Sequence, residues 1–111
     1  MSESVMRSGT DVRAAALRWI AEDVDPRTQA ELQELVDADS PELADRMSGM
    51  PRFGTAGLRA EIRAGANGMN RAVVVRTTAG VADWLVGRGH GGGVVVVGRD
   101  ARHGSADFAA D

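Results

Sequence analysis

Any chemistry on this chain would come from two glycine-flanked clusters. The first is Phe53-Gly54-Thr55-Ala56-Gly57-Leu58-Arg59. Its glycines let the backbone approach a ligand closely. Exposed N–H groups, the Thr55 hydroxyl and the Arg59 guanidinium together suit a phosphate, because they combine fixed dipoles with a cation that can hold two oxygens at once. The same residues also suit a plain turn entering a strand, with Arg59 on the solvated face. The second cluster is Gly98-Arg99-Asp100-Ala101-Arg102-His103-Gly104-Ser105. It follows an apolar run, at the carboxyl edge where open α/β sheets bind ligands. An ordinary reading stands beside that one: Asp100 pairs with an arginine, Ser105 caps a helix, and His103 is solvated in a loop.

Other motifs carry less. Gly87, Gly89 and Gly92 have the spacing of a dinucleotide fingerprint, but they follow a helical pattern and enter an apolar run, the reverse of the order that fingerprint needs. With no lysine in the chain there is no Walker motif, and His90 and His103 lack partners at metal-ligand spacing.

The elements that must position the clusters follow from periodicity. Thr10 is placed to cap a helix with an apolar stripe of Val12, Ala16, Trp19 and Ile20. Asp25-Pro26 starts a second helix, faced by Leu32, Leu35 and Val36, and Ser40-Pro41-Glu42 a third, with Leu43 and Met47 one turn apart. Gly49 and Pro51 stop the helical run. Residues 56–62 roughly alternate, with Leu58, Ala60 and Ile62 on one face and Arg59, Glu61 and Arg63 on the other, which predicts a half-exposed strand. Asn70 is placed to cap a helix to about Val86, with Val74, Thr78, Val81 and Leu85 inward and Gly87 and Gly89 ending it. The β-branched Val73-Val74-Val75 conflicts locally with helix. Val94-Val95-Val96-Val97 reads as a strand buried on both faces, and Ser105 opens a last helix with Asp107 and Phe108. Residues 1–9 read as a loose tail. The order predicts an α/β layered domain.

Composition narrows the partners. Only 4% of residues are aromatic, so Val, Ala, Leu and Ile must build the core. The net charge of −3 argues against broad nucleic-acid or membrane-surface binding, both of which need a basic surplus. Without cysteine there are no disulfides, thiolate metal sites or thiol nucleophiles. There is neither a signal-peptide core nor a membrane-spanning apolar run. The expectation is a soluble, cytoplasmic protein.

Three motifs in order carry a resemblance to the α-D-phosphohexomutase superfamily, the phosphoglucomutase and phosphomannomutase type. Residues 53–59 are similar to its opening motif, Asn67-Gly68-Met69-Asn70 resembles the turn before its first domain helix, and residues 94–105 are similar to the next strand and its Gly-x-Asp-x-Arg loop. Ala60 departs from the pattern, standing where many members have glycine. The resemblance implies an incomplete three-layer α/β/α domain with a helical lead over residues 1–52, a truncated first domain over residues 53–111, and two predicted strands. It implies a phosphoryl transfer between C1 and C6 of a hexose phosphate through a phosphoserine, with Mg2+ support in the complete enzyme and the remainder of the mutase chain as partner. By this likeness Gly54, Thr55, Gly57 and Arg59 bind phosphate, Arg59 neutralises charge at the phosphoserine, and Asp100, Arg102 and His103 support the site. Ser2, Ser4, Ser8, Ser40, Ser48 and Ser105 do not lie in the context of the catalytic serine loop. The chain alone is therefore expected to be inactive and to hold no metal. The alternatives are a small non-catalytic phosphate-binding or assembly module and, more distantly, a nucleotide-binding domain using the glycine-rich turn.

Overall fold

Asp25 shows how closely local chemistry sets the helical lead. It sits in extended backbone and accepts from the Arg27 N–H, with Pro26 in the first turn behind it, so α2 (Pro26–Asp37) begins where the Asp-Pro pair dictates. The computed structural model describes residues 9–55 and 57–111. The expected loose tail, apart from Gly9, and the expected strand start at Ala56 lie outside them. Ahead of α2, α1 (Gly9–Glu22) already contains Thr10, so it begins before the expected cap. After it, α3 (Glu42–Arg46) is one short turn, where the Ser40 hydroxyl accepts from the Glu42 N–H at 3.2 Å.

The three helices share one core. Val12, Ala16, Leu32, Val36, Leu43 and Met47 are buried together, with Trp19, Ile20 and Leu35 packed at the edge. Each comes from a stripe read at helical spacing. Two buried carboxylates between α1 and α2 are satisfied locally: Asp23 accepts from the Asp25 N–H at 2.9 Å and from the Thr28 hydroxyl at 2.5 Å, and Asp25 accepts from the Arg27 N–H and from Arg27 Nη2, each at 3.0 Å. At the other end of α2 the Ser40 N–H reaches the Leu35 carbonyl and the Asp39 N–H reaches that of Val36. That is a Schellman cap, and it holds Asp39 at φ 48°, in the left-handed region.

A hairpin follows. β1 (Arg52–Gly54) pairs antiparallel with β2 (Gly57–Arg59), setting Arg52 opposite Arg59, Phe53 opposite Leu58 and Gly54 opposite Gly57. The strand expected over residues 56–62 is therefore shorter and has a partner that the sequence reading did not assign. Beyond Arg59 the chain leaves the ladder. Ile62 makes an isolated bridge to Met69 and is 66% exposed, while Arg63, expected on the solvated face, is half-buried and paired with Asp45 at 2.9 Å. The competing force is a polar anchor on α3. Arg46 donates to Glu31 at 2.5 Å, Glu42 at 3.0 Å and the Ala64 carbonyl at 3.2 Å, and Glu31 also accepts from the Ala64 N–H at 2.9 Å. The Asn67 N–H adds a bond to the Arg46 carbonyl. Gly65 is needed here, since a Cβ would lie 2.6 Å from that same carbonyl oxygen.

The chain divides into two compact units, Met1–Asn70 and Arg71–Asp111. In the second, α4 (Arg71–Gly87) runs through the three β-branched valines and ends in another Schellman cap: His90 N–H to the Leu85 carbonyl, Gly89 N–H to that of Val86, with Gly89 at φ 85°. Its inward face differs from expectation. Ala72 and Val73 are buried, whereas Thr78 and Val81 are exposed. α5 (Ser105–Ala110) starts at the expected serine. Arg71 grips Asp111 with two bonds, Nε to Oδ2 at 2.8 Å and Nη2 to Oδ1 at 2.9 Å, tying the start of α4 to the residue after α5.

The run at residues 94–97 corrects the reading most clearly. It was expected as a strand buried on both faces, but the four valines are 93%, 70%, 90% and 66% exposed and belong to no strand. A buried strand requires ladder partners and covering layers, and among the described residues β1 and β2 pair only with each other. A helical lead, two antiparallel strands and the helices after them form an incomplete α/β/α domain.

Candidate functional site

The first cluster becomes the hairpin turn. Alternation along the two strands puts Arg52, Gly54, Gly57 and Arg59 on one face and Phe53 and Leu58 on the other. The two glycines have different reasons to be there. Gly57 adopts φ 113°, which a side chain rarely tolerates. Gly54 is required by space: a Cβ there would sit 2.5 Å from Arg59 Nε and 2.7 Å from its Cδ. The Arg59 side chain thus runs diagonally across the ladder, over Gly54 and back toward the turn. Thr55 is exposed at that turn, and Arg59 is exposed as well. Guanidinium, hydroxyl and a floor free of side chains together can receive a tetrahedral anion.

The second cluster organises itself around Asp100. Its Oδ1 accepts from the Arg102 N–H at 3.1 Å and from the Ser105 hydroxyl at 2.5 Å, and its Oδ2 accepts from Arg102 Nε at 2.7 Å. These bonds favour the ionised form, so the Ser105 hydroxyl first, then the Arg102 N–H and guanidinium, bring the carboxyl down from 3.8 to about 2. Arg99 turns to the Asp100 carbonyl. Val97, Arg99, Asp100, Arg102, Ser105 and Phe108 line an open depression. His103 is exposed in the loop. The expected Asp–Arg pair is present, but Ser105 is the first residue of α5, and its hydroxyl serves Asp100 while Gly104 holds the cap position. The hairpin belongs to the first compact unit and the Asp100 loop to the second.

Residues 50–111 match the family described as phosphoglucomutase/phosphomannomutase, alpha/beta/alpha domain I. The chain belongs to this family. Among curated proteins it is similar to the phosphoribomutase of Saccharomyces cerevisiae, 35% identical over 101 residues, which cover 90% of this chain and 16% of that protein. It is also similar to a probable phosphoribomutase of Schizosaccharomyces pombe, 38% identical over 94 residues, covering 82% of this chain and 16% of the relative. The chain thus spans about a sixth of the length of these relatives. No solved structure matches it.

Magnesium is implied only by the phosphohexomutase resemblance. Among the described residues no three or more His, Asp or Glu side chains gather in a way that could hold a metal ion. No helix among them is long and apolar enough to cross a membrane.

Sequence reasoning missed β1, and with it Arg52 as the residue facing Arg59. The signal was present in two glycines bracketing two residues, the spacing of a tight hairpin. It also missed the Arg46 anchor, which joins residues far apart in the chain and leaves no local pattern.

Proposed function

We propose that this chain supplies the phosphate-binding hairpin of a phosphosugar mutase, an enzyme that moves a phosphoryl group between two positions of a sugar through a phosphorylated serine. The observation that carries the reading is the Arg59 side chain laid across Gly54, inside a segment that belongs to the phosphoglucomutase/phosphomannomutase family. On this reading Gly54, Thr55 and Gly57 form the cradle and Arg59 neutralises charge that grows as the phosphoryl group transfers. Asp100, Arg102 and His103 shape a supporting loop. Residues 53–111 begin the first domain and residues 1–52 extend it. The nucleophilic serine and the magnesium ligands are assigned to no residue of this chain. Two relatives carry the name phosphoribomutase, which favours a pentose phosphate beside the hexose phosphates as substrate.

A chimaera tests the proposal. The matching segment of the Saccharomyces cerevisiae relative is replaced by this chain, and turnover is assayed on ribose 1-phosphate and glucose 1-phosphate with magnesium and a sugar bisphosphate. The expected result is activity in the chimaera, no activity in the chain alone, and a loss of about a hundredfold in kcat on Arg59→Ala, the scale of removing one donor from a developing anion. A folded chimaera in which Arg59→Ala leaves kcat untouched would refute the role given to Arg59.

A further inference from the structure

We propose that Arg52 is a second anion ligand, acting with Arg59 as a clamp on a phosphate monoester. The register sets the two arginines directly opposite each other on one face of the hairpin. Directly opposed residues hold their Cβ atoms about 4.5–5.5 Å apart, and like charges so placed destabilise a ladder. Elsewhere in the same unit Arg27, Arg46 and Arg63 each meet a carboxylate. Among the described residues neither Arg52 nor Arg59 does, and both are exposed. The neighbouring pair on the same face is Gly54 and Gly57, which carries no side chain of its own, and the Arg59 side chain lies across Gly54. A ladder of three residues per strand therefore carries two arginines on one face with no carboxylate partner among the described residues, beside a glycine pair that Arg59 reaches over. A phosphate monoester, with close to two negative charges and three acceptor oxygens near neutral pH, matches it in charge and in geometry.

The assignment rests on the reading of Arg59 as a phosphate ligand, and the experiment separates the two. Inorganic phosphate is titrated into the chain while the amide signals of Gly54, Thr55 and Gly57 and the Nε–H signals of both arginines are followed by NMR. Signals from α2 serve as the control for folding. Arg52→Gln and Arg59→Gln are each expected to weaken binding about tenfold or more, since each removes a hydrogen bond to a charged group. Loss of binding in Arg59→Gln, with Arg52→Gln within twofold of the parent, overturns the clamp and leaves the Arg59 reading standing. Arg59→Gln within twofold, or no response in the parent chain, overturns both.

Arg52→Glu adds a test that does not depend on affinity. It offers Arg59 a carboxylate across the ladder, so it is expected to raise the melting temperature in the absence of phosphate and to abolish the phosphate response. A lowered melting temperature overturns the argument from repulsion. O-phosphoserine and ribose 5-phosphate, titrated in parallel, separate a phosphorylated side chain from a sugar phosphate. The one that binds tighter identifies the source, and a clamp requires Arg52→Gln to weaken it. Equal binding of that ligand by parent and variant overturns the proposal.

Discussion

Asp100 gathers a backbone N–H, a guanidinium and a hydroxyl from within five residues, and each favours its charge. Its folded pKa of about 2 lies below the ordinary 3.8. Linkage then fixes the sign: its contribution to the loop is complete above about pH 3.8 and disappears as the pH falls through about 2. A carboxyl-carbon NMR titration of the chain should find that midpoint. Ser105→Ala removes the largest cause and should move it back toward the ordinary value. An unchanged midpoint in that variant would mean that the hydroxyl does not set the acidity. The proposed roles of Gly54 and Arg59 belong to the same scale, where a missing methyl group decides whether a guanidinium can lie across a strand.

At the level of elements, the cap of α2 places an aspartate where glycine is usual. Asp39 at φ 48° bears a steric cost that glycine would not, partly offset by glycine's greater freedom in the unfolded chain. Asp39→Gly is expected to stabilise the helical lead by about 0.5–1 kcal/mol, read as a higher urea midpoint; an unchanged or lower midpoint counts against the argument. The elements legible in the sequence were those whose signals are local. The Asp-Pro and Ser-Pro starts and the apolar stripes of α1, α2 and α3 need only their own neighbours to be read. The β-branched stretch in α4 is helical despite its strand preference. Residues 94–97 failed because a buried strand is defined by partners, and four adjacent valines say only that such partners would be welcome. The hairpin was half legible. Its glycines and Arg59 were visible as a motif, while Arg52 became part of the site only once the register set it across from Arg59.

For the whole molecule, the division at Asn70 and Arg71 predicts that the two units open separately, with a stability for each. The first unit has a shared apolar core and the Arg46 anchor. The second is held by the α4–α5 packing and the Arg71–Asp111 pair, in which the carboxylate is 7% exposed. Arg71→Ala is expected to cost the second unit about 1.5–3 kcal/mol, the worth of hydrogen bonds to a charged group. Native-state hydrogen exchange should then show α4 amides losing protection while those of α2 keep theirs. Equal loss in both helices would mean that the two units open as one.

Each of these units also holds one tryptophan, Trp19 in α1 and Trp84 in α4. The first is packed at the edge of the helical core, whereas the second is 60% exposed, with the Arg88 guanidinium 5.2 Å from its ring centre. The chain has no tyrosine, so its fluorescence comes almost wholly from two indoles in unlike surroundings: Trp84 should emit at longer wavelength and be quenched readily by iodide or acrylamide, and Trp19 should be shielded. Replacing either one with phenylalanine leaves a built-in optical reporter for the opposite half, with no dye or label needed to watch the halves separately.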